Sequence, residues 1–224
     1  MGKRFLDTLA FGIYRLLAAG LCLLPITAVF RLGEFIGRLI PLALPKLRRL
    51  AETNLGRAWE GEKTEEEIQA LTDDHFRLLG ANLLSSIKLG TMSPEAVMDR
   101  VEAKISEEAY ALREQPNRGW IAMISHIGNW EIFSRLNLLT PGYPTGAIYR
   151  PIPNAAFDAH IRESRVRYGV QLFDRFKDLT KAPRFLRKGG ALGILMDQYA
   201  GDLGLWVPLF GRLASTTNLP ASLA

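Results

Sequence analysis

Two side chains in one short stretch have the chemistry of a proton-transfer pair. His126 and Glu131 stand in the run Ser125, His126, Ile127, Gly128, Asn129, Trp130, Glu131. An imidazole takes a proton from a hydroxyl near neutral pH, and a carboxylate that reaches it fixes its tautomer and stabilises the imidazolium. Gly128 and Asn129 can make the turn that folds Glu131 back onto His126. The spacing alone is weak, because it fits equally a capping or core histidine followed by an ordinary first-turn helix acid. Placement adds more. The apolar run 120–125 reads as a buried strand ending at His126, and the segment 130–139 has a helical pattern. Ligands of open α/β sheets gather at the carboxyl ends of strands, where helix amino termini also favour negative charge. Asp197 ends a second apolar run, 191–196, and is expected on the same sheet edge as His126.

The elements that hold these residues alternate. A turn-rich stretch, 115–119, feeds the first strand, and Thr140, Pro141 and Gly142 end the helix after it. A strand at 146–149, a helix at 154–168, another at 179–188 and the strand 191–196 continue the order. Strand, helix, strand, helix is the pattern of an α/β fold, with a mostly parallel sheet and helices on both faces. Upstream, Thr64 and Glu67 form a capping box for a helix with Ile68, Leu71, Phe76, Leu79, Leu83 and Ile87 at helical spacing. Ser93 with Pro94, and Ser106, read as caps of two shorter helices.

Apolar residues dominate 5–44, with a charge-free stretch, 16–30, that contains Pro25 and is short for a spanning helix. Membrane anchoring, in the interface or as a tilted span, competes here with a signal peptide behind Lys3 and Arg4 and with ordinary core helices. Lys46, Arg48 and Arg49 come next, as anionic-headgroup contacts or as a solvated helix face. The expected organisation is a membrane-associated helical segment, 1–45, and one catalytic domain, 46–224.

Lys and Arg number 28 against 23 Asp and Glu, a surplus of +5 that suits an acidic partner such as anionic lipid or an acidic carrier protein. No zinc-finger spacing, RNA-binding aromatic signature or long basic arm points to nucleic acid. Cys22 is the one cysteine, which excludes an intramolecular disulfide, and the scattered His75, His126 and His160 suggest no metal cluster.

The run from His126 to Glu131 resembles the His-x-x-x-x-Asp/Glu motif of the lipid A biosynthesis acyltransferases, the lauroyl and myristoyl transferases of Gram-negative inner membranes. Further passages match in order: Tyr149, Arg150 and Pro151; Arg165 before Gly169; Asp197 and Gln198; then Val207 to Gly211 and Thr216 or Thr217. Leu209 stands where a second Phe is common in the family. The resemblance implies acyl transfer from acyl carrier protein to a hydroxyl of an anionic glucosamine-based glycolipid. It further implies no metal or redox cofactor and a place at the cytoplasmic face of the inner membrane. Carried over, His126 is the base, Glu131 its partner, Arg165 a stabiliser of the oxyanion or of substrate charge, and Asp197 a further member of the site. Without the resemblance, Arg165 reads as part of a solvated helix face. Asn129, Arg150 and Gln198 are candidate substrate contacts, and Arg150 and Gln198 serve equally as backbone ties around the site.

A serine hydrolase lacks its Gly-x-Ser-x-Gly elbow here, and Ser125 is too close to His126 for a side-chain triad. Acylation of another glycolipid, such as a phosphatidylinositol mannoside, remains an alternative, as does a non-catalytic lipid-binding protein. The family's chains usually run several dozen residues further, and Thr217, Asn218, Leu219 and Pro220 read as a helix start, so the chain is expected to stop inside its catalytic domain. A strand at 205–210 is expected beside the Asp197 edge.

Overall fold

The computed structural model describes residues 2–113, 115, 118–135, 137 and 143–224. They form two compact units, one of Met1–Leu17, Met92–Gln198 and Thr217–Ala224, the other of Ala18–Thr91 and Tyr199–Thr216. Both are discontinuous in sequence. The expected helix break at Thr140, Pro141 and Gly142 lies outside the described residues, as do Pro116 and Asn117 of the turn before the first strand.

The amino-terminal half is helical: α1 Gly2–Leu23, α2 Ile26–Ala43, α3 Pro45–Ala58 and α4 Glu65–Leu89. Pro25 separates α1 from α2 and Pro45 opens α3, at helix starts where the missing N–H costs nothing, whereas Pro41 lies inside α2. Within α1, Phe5–Leu23 is long and apolar enough to cross a membrane, and almost none of it is buried. The capping box of α4 is present, with the Thr64 hydroxyl accepting from the Glu67 N–H and the Glu67 carboxylate accepting from the Thr64 N–H.

The face that α4 buries is smaller and more polar than its apolar spacing predicts: Ile68, Thr72, Phe76, Gly80, Ala81, Ser85 and Leu89. Its partner explains this. α2 brings Gly33 and Gly37 to the crossing, and a Cβ on Gly33 would lie 2.6 Å from the Gly80 oxygen and the Ala81 Cα. Backbones this close exclude large side chains, so Leu83 is left exposed. Glu34 of α2 pairs with Arg77 of α4 across the same interface. Arg48, read as a possible headgroup contact, instead bridges Glu52 at 2.8 Å and Asp73 at 2.7 Å, tying α3 to α4. Lys46 and Arg49 are exposed.

After α5 Pro94–Met98 and α6 Glu107–Arg113, capped by Ser93 and Ser106, the carboxyl-terminal half of the sequence builds a parallel sheet. Its strands are β1 Trp120–Ile124, β2 Thr145–Tyr149, β3 Gln171–Asp174 and β4 Ala191–Leu195, in the order β1-β4-β2-β3. β4 lies between β1 and β2, pairing Trp120 with Ala191 through Ile124 with Leu195 on one side and Thr145 with Ala191 on the other. A strand flanked on both sides must be apolar on both faces, and Ala191, Leu192, Gly193 and Ile194 are all buried. Between the strands run α7 Ala155–Val166 and α8 Ala182–Arg187. Phe173, Ala182, Leu186, Leu192 and Ile194 form the core, joined by Leu219 and Leu223 of the short helix α9, Leu219–Leu223.

Two expectations change. β3 was not anticipated, and the strand at 205–210 does not join the Asp197 edge. It is β5, Leu205–Leu209, which pairs antiparallel with β6, Arg212–Thr216, in a separate two-stranded sheet belonging to the other unit. Phe210 and Gly211 adopt φ of 49° and 70°, so the chain reverses within two residues and β5 pairs with its immediate successor in sequence.

Candidate active site

Register places the strand ends that lead to His126 and Asp197 side by side. The β1–β4 pairing ends at Ile124 opposite Leu195, and the Met196 N–H still donates to the Ile124 carbonyl at 3.1 Å. Two residues beyond each strand stand His126 and Asp197. The carboxylate of Asp197 holds the histidine twice: Oδ2 accepts the His126 backbone N–H at 2.7 Å, and Oδ1 lies 2.7 Å from Nδ1 of the ring.

A carboxylate at Nδ1 fixes the proton there, leaving the Nε2 lone pair for a substrate. Trp130 packs edge-on to the imidazole, with centroids 5.1 Å apart, and limits its swing. Both groups stay within reach of solvent, with side-chain exposures of 25% for His126 and 35% for Asp197. Burial pushes the Asp197 carboxyl up, but the hydrogen bonds from the His126 ring and backbone outweigh it and leave the group below its ordinary value.

Glu131 does not reach the imidazole. The chain leaves His126 through Gly128, whose φ of +61° lies in the left-handed region that glycine adopts at little cost, and enters a 3-10 stretch, Trp130–Arg135. From there Glu131 faces Arg165 in the last turn of α7. Arg165 grips it bidentately, Nη2 to Oε1 at 2.6 Å and Nε to Oε2 at 3.2 Å. The reading of Arg165 as a solvated side chain therefore gives way to an ion pair whose side chains are only 25% and 22% exposed. The partner expected for His126 was Glu131; the residue found there is Asp197.

Asn154 caps α7 by accepting from the Ala156 and Phe157 N–H groups at 3.0 and 3.1 Å, which sets the helix that delivers Arg165. Asn129 is half-buried in the bend, its carbonyl accepting from the Ile132 N–H at 3.1 Å. Arg150 comes directly after β2 and Gln198 directly after Asp197; both are exposed at the carboxyl edge of the sheet.

Sequence reasoning missed Arg135. It is 3% exposed, its Nη1 donates to Ser134 Oγ at 2.6 Å and reaches the Glu131 carbonyl at 3.4 Å, and its guanidinium lies 4.8 Å from the Tyr168 ring centroid. Burial pulls its pKa below the usual arginine value. Its position four residues after Glu131, on one helical face, was the available signal. Tyr168 is fixed in turn by donating to the Met92 carbonyl at 2.6 Å. Among the described residues, no three His, Cys, Asp or Glu side chains gather as a metal site.

The arrangement can thus take a proton at Nε2, while Glu131, five residues on, is paired with the Arg165 guanidinium. Over residues 3–224 the chain matches the bacterial lipid A biosynthesis acyltransferase family, and it belongs to that family. A comparison with individual curated proteins finds no match.

Proposed function

We propose that this acyltransferase moves a fatty-acyl chain from an acyl carrier protein thioester to a hydroxyl of a lipid A precursor, with His126 as general base. The observation that carries the reading is the clamp of Asp197 on Nδ1 and on the backbone of His126. Nε2 takes the proton of the acceptor hydroxyl as its oxygen bonds to the thioester carbonyl carbon. The carbonyl becomes a tetrahedral oxyanion. When it collapses, the carbon–sulfur bond breaks and the thiolate leaves with the proton that His126 carried. Arg165 uses two of its N–H donors on Glu131 and has three left for the oxyanion or for substrate charge. Glu131 acts through Arg165, and Arg135 supports the backbone of Glu131. Asn129, Arg150 and Gln198 are assigned to substrate contact.

The same reading places the enzyme at the cytoplasmic face of the inner membrane. α1 supports the membrane contact, because its apolar surface is uncovered while Phe11 and Tyr14 pack on Phe157 and His160 of α7. The helix that meets lipid thereby touches the helix that carries Arg165.

The test is reconstitution of purified protein with acyl carrier protein bearing a lauroyl or myristoyl thioester and a lipid A precursor. A glycolipid heavier by one acyl chain, with equimolar free carrier thiol, supports the proposal. A mass gain only with coenzyme A thioesters refutes the donor, and no gain with either refutes the reaction.

A further inference from the structure

α2 has three longitudinal faces. Val29, Gly33, Gly37 and Pro41 are buried. Next to them, Leu32, Phe35, Ile36, Leu39 and Leu42 form an exposed apolar stripe, with Phe35 at 59% and Leu42 at 74% exposure. Beyond this stripe, Arg31 and Arg38 stand seven residues apart and exposed. At 100° per residue the two arginines fall within about 20° of each other, along one rim of the stripe. The one acid of the helix, Glu34, is drawn off this side by its pair with Arg77. The outward side is therefore apolar and purely cationic.

A soluble face of this kind would leave five large hydrophobic side chains in water. A helix with an apolar stripe and a basic rim is instead matched to a bilayer surface: the stripe enters the acyl boundary and the arginines meet anionic headgroups. We infer that α2 lies in the plane of an anionic lipid surface, with Leu32, Phe35, Ile36, Leu39 and Leu42 immersed and Arg31 and Arg38 on lipid phosphates. This deepens the membrane assignment made above for α1 and rests on it.

The single cysteine makes a local test possible. Cys22 accepts a hydrogen bond from Thr91 Oγ1 at 3.4 Å, a role that Cys22→Ser preserves. In that background, Phe35→Cys, Leu16→Cys on α1 and Glu66→Cys at the exposed start of α4 each take one environment-sensitive fluorophore. The full-length protein is reconstituted into phosphatidylethanolamine vesicles containing none to a third phosphatidylglycerol, with and without doxyl-labelled lipid.

The expected result is a blue shift and doxyl quenching at position 35 that grow with phosphatidylglycerol, and neither at position 66. Arg31→Gln with Arg38→Gln lowers the docked-to-undocked ratio at position 35 about fivefold per cation, about thirtyfold together, and the paired lysine variants restore most of it. Quenching at 16 without quenching at 35 overturns the inference while leaving the α1 assignment standing; no quenching at either overturns both. A blue shift at 35 that doxyl lipid does not quench means that a second copy covers the stripe, and also overturns it. Quenching indifferent to phosphatidylglycerol and to the two arginines removes the headgroup contact.

Discussion

Asp197→Asn is the most informative single change, because it keeps shape while reversing one hydrogen bond. Asp197 accepts twice from His126, from the backbone N–H at 2.7 Å and at ring Nδ1 at 2.7 Å. An asparagine has one acceptor oxygen. If that oxygen keeps the backbone N–H, the amide NH2 faces Nδ1, which must then accept, and the proton moves to Nε2. The nitrogen that should take the hydroxyl proton is then already protonated. Loss of a positioned base costs about 10²- to 10⁴-fold in rate, and the same exchange in a Ser-His-Asp triad costs about 10⁴. That corresponds to about 3 to 5 kcal/mol of barrier. The assay is steady-state acyl transfer followed by mass spectrometry, with circular dichroism to show that the fold is retained. KM should change little and kcat should fall by at least about a hundredfold. A variant within about threefold of wild type would refute the tautomer argument and the role of Asp197 with it.

Glu131→Ala and Arg165→Ala should each impair turnover, and the double variant should be no worse than the more severe single one, because each residue acts through the same 2.6 Å pair; additive losses in a double-mutant cycle would contradict this. His160 is held below its ordinary value by burial, with Arg15 adding to the effect. The unfolded chain therefore takes up the proton first as pH falls, so this contribution is present above about pH 6.5 and declines below it. Melting temperature should drop between pH 7.5 and 5.5, less so in His160→Phe, which keeps the ring packing on Phe11 and Tyr14; an unchanged pH slope would count against the assignment. Gly37→Ala would place a methyl group against the Phe76 carbonyl and should destabilise the α2–α4 crossing by about 1 to 3 kcal/mol in thermal unfolding, whereas a neutral result would mean that the helices part without cost.

How far this fold could be read from sequence depends on the strength of its local signals. The strands β1, β2 and β4 are apolar runs bounded by turn residues, and their ends pointed to His126 and Asp197 on one edge. β3 escaped because it is four residues long with polar residues, Gln171 and Asp174, at its ends. β5 was legible as a strand but not in its pairing, which depends on a two-residue turn led by Phe210, a residue type that gives no turn signal.

The site shows the same limit. Spacing put an acid five residues from His126, but the acids competing for the imidazole include one 71 residues away, and strand register decides between them. Glu131 meets Arg165 only because α7 returns beside the 3-10 stretch, 34 residues on in sequence. The buried face of α4 departs from its apolar spacing for a related reason, since a close helix crossing selects Gly80 and Ala81 over leucines.

The proposed reaction stands on His126 as the base for acyl transfer to a glycolipid. Its most direct measurement compares wild type and His126→Ala, both reconstituted in vesicles, for the appearance of a lipid A precursor one acyl chain heavier at saturating acyl carrier protein thioester. Wild type should yield product, and His126→Ala a rate lower by about 10²- to 10⁴-fold, at equal vesicle association and fold. Wild-type rates from His126→Ala would contradict it.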